Sequence, residues 1–291
     1  MGFAVETFAP PAWREAVVQA AGVRVASFWS GSSSPAAPCV VLLHGLGHWS
    51  EAAWGELVPR LDPSMRYLAF DWPGFGASER PTARYDVAYF RDVLDAVVDA
   101  AGVERFALVG HSLGGCIAAA YAAEHVTRVK GLALIAPAGF GRTPRHLAFG
   151  VAAILARPLL TWYSPRAFVR PAFRHAVLEP DRLDPAMIAR AGQLFDDRKL
   201  RDAYARVYAG APANALRRGR QHAHWSQYRG PVFCAWGRHD HYIAVRALRD
   251  VLRVYPQASS LILERSGHLP MVEEPAALAA ALRPFLNAVA A

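Results

Sequence analysis

Short apolar runs alternate along this chain with longer stretches in which apolar positions recur every three to four residues. The runs at residues 15–19, 23–29, 39–43, 67–70, 106–109, 131–135, 232–236 and 260–263 read as strands. Several of them are apolar throughout and lack a polar alternation, the mark of parallel strands covered on both faces. Helical periodicity predicts helices over residues 54–61, 87–101, 115–124, 244–255 and 275–289. Strand followed by helix, repeated, predicts an α/β fold with a parallel, doubly wound sheet. The first two runs, separated by Ala20-Ala21-Gly22, predict an antiparallel hairpin at one edge.

The rhythm breaks between about Ala138 and Arg229, where no strong strand pattern occurs. This stretch is helical in period, punctuated by seven prolines, and holds Trp162, Tyr163, Phe168, Phe173, Phe195, Tyr204, Tyr208 and Trp225. It reads as a helical cap inserted after the sixth strand, over the carboxyl ends of the sheet. The expected organisation is a core domain in two parts, residues 1–137 and 230–291, with a cap at 138–229.

Composition supports a large buried core: 291 residues, 53% hydrophobic and only 19% charged. The net charge of +8 comes almost wholly from arginine, and the cap alone carries an excess of about ten positive charges. A basic balance raises nucleic acid as a partner, but no aromatic-interleaved basic run or nucleic-acid motif accompanies it. The expectation is therefore a small-molecule substrate and no nucleic acid. Cap arginines facing the cleft would suit an acidic substrate group. Cys39, Cys116 and Cys234 sit in or beside apolar segments without C-x-x-C spacing, so buried free thiols and a cytoplasmic, reducing setting are expected. The first twenty residues carry Glu6, two prolines and Arg14-Glu15 and do not read as a signal peptide. The longest apolar stretch, 147–163, is interrupted by Gly150, Arg157 and Pro158, so no membrane span is expected. Monomer and homodimer both remain open.

The chemistry concentrates at strand ends. Gly110-His111-Ser112-Leu113-Gly114 follows an apolar strand and opens into an Ala-rich helix, the context in which G-x-S-x-G presents a serine on a strained turn. A serine nucleophile needs a base within hydrogen-bond reach, and the base needs an orienting acceptor. After the run 232–236 comes Gly237-Arg238-His239-Asp240, and after the run 260–263 comes Ser266-Gly267-His268-Leu269. Both follow the carboxyl ends of strands, where an open α/β sheet holds its ligand crevice. The catalytic candidates are Ser112, Asp240 and His268. The oxyanion hole needs two backbone donors, expected from the Leu113 N–H and from the Leu46 N–H in His44-Gly45-Leu46-Gly47. His44, Gly45, His111, Trp162 and Leu269 are candidates for the pocket lining. His239 and His241, like His222 and His224, lack a carboxylate cluster and do not read as a metal site, and no cofactor is expected.

With the loop Asp71-Trp72-Pro73-Gly74-Phe75-Gly76-Ala77-Ser78 added, the chain resembles capped serine esterases and lipases of the α/β-hydrolase fold. Five motifs occur in the family's order between residues 44 and 268. The resemblance implies an eight-stranded, mostly parallel sheet with strand 2 antiparallel. It also implies that Asp71 ties loops together and that His44 braces the oxyanion loop. The implied activity is hydrolysis of carboxylic esters of small to medium apolar acyl groups through an acyl-enzyme, with carbon–carbon or thioester hydrolysis, and a non-hydrolytic acyltransferase, cyclase or ligand-binding member of the same fold, as the alternatives. Dehalogenases and epoxide hydrolases of this family use Asp where Ser112 stands. Hydrolases of meta-cleavage products usually carry Asn before the serine and Trp after the histidine, where this chain has His111 and Leu269.

Overall fold

The computed structural model describes residues 13–141 and 166–290. Eight strands form one sheet in the order β1-β2-β4-β3-β5-β6-β7-β8. They are β1 (Arg14–Ala20), β2 (Val23–Gly31), β3 (Cys39–Leu43), β4 (Arg66–Phe70), β5 (Phe106–His111), β6 (Val129–Ile135), β7 (Val232–Gly237) and β8 (Ser259–Leu263). β2 runs antiparallel to both β1 and β4, and every pair from β4 to β8 is parallel. The edge hairpin is as expected, turning at Ala21 and Gly22, both with positive φ.

The apolar runs are explained by burial on both faces. In β3, Cys39, Val41 and Leu43 join the hydrophobic cluster on one side of the sheet, and Val40 and Leu42 join the cluster on the other. Burying one such side chain contributes about 1.5–3 kcal/mol, which a strand with a solvated face could collect only at alternate positions.

The helices outside the β6–β7 segment are α1 (Ser50–Trp54), α2 (Val87–Ala100), α3 (Leu113–Glu124) and α8 (Leu248–Val254) between strands, and α9 (Pro270–Glu273) and α10 (Pro275–Ala290) after β8. Asp86 caps α2 by accepting the Tyr89 N–H. In α3 every residue from Gly114 to Ala123 is buried, so its Ala-rich sequence follows from having no solvent face. The helix expected over 54–61 is instead α1 followed by a single 3-10 turn at Val58–Arg60. Gly55 and Pro59 explain the break, because neither sustains a helix interior. Likewise a 3-10 turn at Val245–Ala247 precedes α8.

Between β6 and β7 the described residues form α4 (Arg166–Ala176), α5 (Pro185–Asp196), α6 (Arg198–Ala209) and α7 (Ala211–Trp225), and no strand. Pro185 and Pro212 sit in the first turns of α5 and α7, where a missing N–H costs nothing. Salt bridges tie this segment to the core, Arg190 to Glu51 at 2.8 Å and Asp197 to Arg80 at 3.1 Å. Among the described residues no helix is long and apolar enough to cross a membrane.

Candidate active site

The strand order reverses direction at β3 and β5: the chain passes from β3 outward to β4 on one side and from β5 to β6 on the other. The loops leaving β3 and β5 therefore open a crevice at the carboxyl edge. Leu43 pairs with Gly110 at the end of these two strands, which brings His44–Gly47 beside Ser112.

Ser112 stands at the turn from β5 to α3 with φ 51° and ψ −114°. A residue with a Cβ adopts this region at a cost, and the surrounding hydrogen bonds hold it there. Its N–H donates to the Ile135 carbonyl at 3.0 Å, and its own carbonyl accepts from Cys116 and Ala138 at 3.1 and 2.8 Å. The flanking glycines are required by contact. A Cβ on Gly110 would fall 2.5 Å from the Gly114 carbonyl oxygen, and one on Gly114 would strike the carbonyls of Leu43 and His44.

Ser112 Oγ lies 3.0 Å from His268 Nε2, and His268 Nδ1 lies 2.7 Å from Asp240 Oδ2. The carboxylate takes the Nδ1–H, which leaves Nε2 to accept the serine proton. Asp240 Oδ1 is fixed by the N–H groups of Tyr242 and Ile243, each at 2.8 Å. Asp240 and His268 are both buried. The three side chains come from loops after β5, β7 and β8, and the approach of the last two requires Gly237. A Cβ there would collide with the Gly267 and Ser266 carbonyls.

The Leu113 N–H opens α3, where the first N–H groups have no intrahelical acceptor. Among the described residues neither it nor the Leu46 N–H is bonded to another protein group. Gly45 allows the β3 loop to press on the elbow, since its Cβ would lie 2.7 Å from His111 Nδ1 and 3.0 Å from Ser112 Cβ.

His44 is fully buried with both nitrogens engaged. Nδ1–H donates to the Gly45 carbonyl at 2.8 Å, and Nε2 accepts the Trp72 N–H at 3.0 Å. Burial lowers its pKa below the usual imidazole value, as this neutral tautomer requires. Asp71 is likewise committed: its carboxylate accepts from Ser50 at 2.7 Å and Ala77 at 2.8 Å. His111 and Leu269 are also buried, while Trp162 lies outside the described residues.

Several neighbours of the site escaped the sequence reading. His48 packs its ring 5.5 Å from Phe173 and 6.1 Å from His111, and burial depresses its pKa to about 3. The Tyr242 ring lies 5.3 Å from that of His268. Tyr204 leans over Gly47 from the inserted helices. Glu273 accepts backbone N–H groups on both sides of His268. None of these belongs to a motif, so only the folded arrangement reveals them. No group of three metal-ligating side chains occurs among the described residues.

The chain is similar in sequence and in fold to known proteins. The chain is 40% identical over 125 residues to the 2-hydroxymuconate semialdehyde hydrolase of Pseudomonas sp. (strain CF600), across 41% of this chain and 42% of that one. It is 32% identical over 168 residues to the 1-acylglycerol-3-phosphate O-acyltransferase ABHD5 of Homo sapiens, across 54% and 47% of the two chains. The chain thus spans less than half the length of these two relatives. Among solved structures, a membrane phospholipase A superposes with TM-score 0.76 at 27% identity, covering 95% of this chain and 86% of that one. The 2-hydroxy-6-oxo-6-phenylhexa-2,4-dienoate hydrolase of Rhodococcus sp. strain RHA1 shares the fold with TM-score 0.78 at 20% identity, covering 95% and 99%. Residues 38–275, most of the sequence, match the alpha/beta hydrolase fold family, to which this chain belongs.

Proposed function

We propose that this protein is a serine hydrolase that cleaves carboxylic esters of small to medium apolar acyl groups through an acyl-enzyme. The observation that carries this reading is the chain of hydrogen bonds from Ser112 Oγ through His268 to Asp240, at 3.0 and 2.7 Å. Ser112 Oγ attacks the ester carbonyl while His268 Nε2 takes its proton. Asp240 stays ionised, keeps the imidazole in the right tautomer and stabilises the imidazolium. The carbonyl oxygen, now negative, accepts from the Leu46 and Leu113 N–H groups; losing one such donor typically costs about 10²–10³ in rate. His268 returns the proton to the departing alcohol, and water then repeats the sequence on the acyl-enzyme. Nothing in this chemistry calls for a metal or an organic cofactor.

In this reading the inserted helices form a cap, residues 138–229, that selects the acyl group. Leu194 and Phe195 of α5 close over Gly47 and His48 of the oxyanion loop around a cavity of about 10 Å³, room for about one water, so an acyl chain entering here would have to part α5 from the loop. The three buried thiols fit a reducing, cytoplasmic setting.

Cleavage of a carbon–carbon bond in a meta-cleavage product is the second reading, favoured by the 40% identity to the semialdehyde hydrolase over part of the chain. Thioester hydrolysis and acyl transfer would use the same serine with a different leaving group or acceptor. A panel of p-nitrophenyl esters from acetate to dodecanoate, with matched thioesters and a meta-cleavage product, separates these. Esters of short to medium chain are expected to turn over fastest, and Ser112→Ala to abolish the activity without changing the melting temperature. Faster turnover of the meta-cleavage product, or activity retained without Ser112, would overturn the proposal.

A further inference from the structure

His268 sits three strands away from Ser112 in the sheet, since β6 and β7 separate β5 from β8. Its distance to the serine is therefore set by whatever fixes its loop. One side chain does this from the elbow. His111 directly precedes Ser112 and is almost fully buried, and its Nε2–H donates to the His268 carbonyl at 2.8 Å. The two imidazole rings lie 4.8 Å apart. The opposite edge of the His111 ring rests on Gly45, at the spot a Cβ would need. One imidazole thus touches the nucleophile turn, the oxyanion loop and the base loop. Burial keeps it neutral, so it carries one N–H, and the carbonyl acceptor places that proton on Nε2.

A second side chain holds the other flank. Glu273 accepts from the Gly267 N–H at 2.7 Å and the Leu269 N–H at 3.3 Å, one residue either side of His268. Its other oxygen accepts from the Leu178 N–H at 2.6 Å, just beyond α4. The His268 N–H itself donates to the Ala176 carbonyl at 2.6 Å. The base loop is thereby tied to the elbow on one side and to the inserted helices on the other.

We propose that His111 and Glu273 are positioning residues that clamp the backbone of His268 so that its Nε2 reaches Ser112 Oγ. The proposal rests on the serine-hydrolase reading above. A displacement of about 1 Å at a reacting group costs about 10²-fold, so the clamp acts on the chemical step and leaves ground-state binding alone.

The test compares His111→Gln, whose amide N–H reaches as far as Nε2, with His111→Leu, which fills the space without a donor. Glu273→Gln tests the other flank, because it replaces one accepting oxygen by a donor. Each is assayed for kcat and KM on a short-chain p-nitrophenyl ester, for the rate of labelling by a fluorophosphonate, and for thermal melting. His111→Leu and Glu273→Gln are expected to lower kcat about 10- to 100-fold and to slow labelling equally, with KM within about threefold. His111→Gln is expected to recover most of kcat. Wild-type kcat in either His111→Leu or Glu273→Gln overturns the clamp. So does a His111→Gln as damaged as His111→Leu when both melt like the wild type. Should His111→Leu not fold, the Glu273→Gln comparison decides alone. A wild type that fails to label contradicts the serine-hydrolase reading itself, a separate outcome.

Discussion

His44 and His268 both follow sheet strands and both face carboxylates, yet their surroundings give them opposite work. His44 has a backbone group on each nitrogen, so it braces the loop between β3 and Trp72 and has nothing left to offer a substrate. His268 has Asp240 on Nδ1 and Ser112 on Nε2, which leaves one nitrogen for proton transfer. The two carboxylates divide in the same way. Asp71 is consumed by loop N–H groups, whereas Asp240 gives one oxygen to the loop and keeps the other for the imidazole. The order of motifs along the chain was enough to choose Ser112, Asp240 and His268 as candidates, because each follows a recognisable strand. The direction of His44, His111 and Leu269 could not be read in this way. Spacing says which loop a side chain belongs to and not which way it turns within it. Asp240→Asn places an amide where the Nδ1–H acceptor must be and favours the wrong tautomer. A loss of about 10⁴ in kcat with little change in KM is expected in steady-state ester hydrolysis. A loss below tenfold would move the orienting role to another acid.

At the scale of elements, the site depends on three close backbone approaches, each made at a glycine. Gly114 lets α3 start against the carbonyls of Leu43 and His44, Gly237 lets the β7 loop meet the β8 loop, and Gly45 lets the β3 loop touch the elbow. Gly114→Ala would push the first turn of α3 away from β3 and carry the Leu113 N–H with it. A destabilisation of about 1–3 kcal/mol is expected by chemical denaturation, with a larger fractional loss in kcat than in stability. An unchanged denaturation midpoint would show that the contact has slack. The strands were legible because fully apolar runs of five or so residues, bounded by glycine and proline, have few other uses. The helices were less so: the run 54–61 has helical period but holds Gly55 and Pro59, and the backbone resolves the conflict with α1 and a 3-10 turn. The four-residue α9, whose last residue Glu273 grips the His268 loop, is too short to leave any periodic trace.

Across the whole molecule, three imidazoles are buried in the neutral form around the crevice. Desolvation holds His44 and His111 below the ordinary range and His48 at about 3. In the unfolded chain each would titrate near about 6.5. Below that value the unfolded state binds protons that the folded state refuses, so stability falls as the medium is acidified. His48, held at about 3, stays neutral throughout the window from about pH 6 to pH 5 and contributes a slope of up to about 1.4 kcal/mol per pH unit; His44 and His111 act in the same direction. Urea midpoints across that window should show this, with His48→Gln flattening the slope; a stability independent of pH there would contradict it. The large apolar fraction and the strand-helix alternation made the α/β sheet legible at this scale. The substrate was not, because the α4–α7 segment has helical period but its sequence does not say which of its faces meets the crevice. Whether Ser112 is a nucleophile activated by His268 and Asp240 is decided by treating the purified protein with a fluorophosphonate and mapping the adduct by peptide mass spectrometry. One adduct per chain is expected, on the peptide containing Ser112, absent from Ser112→Ala and slowed in Asp240→Asn. An intact wild-type protein that stays unlabelled, or carries its label on another residue, would contradict it.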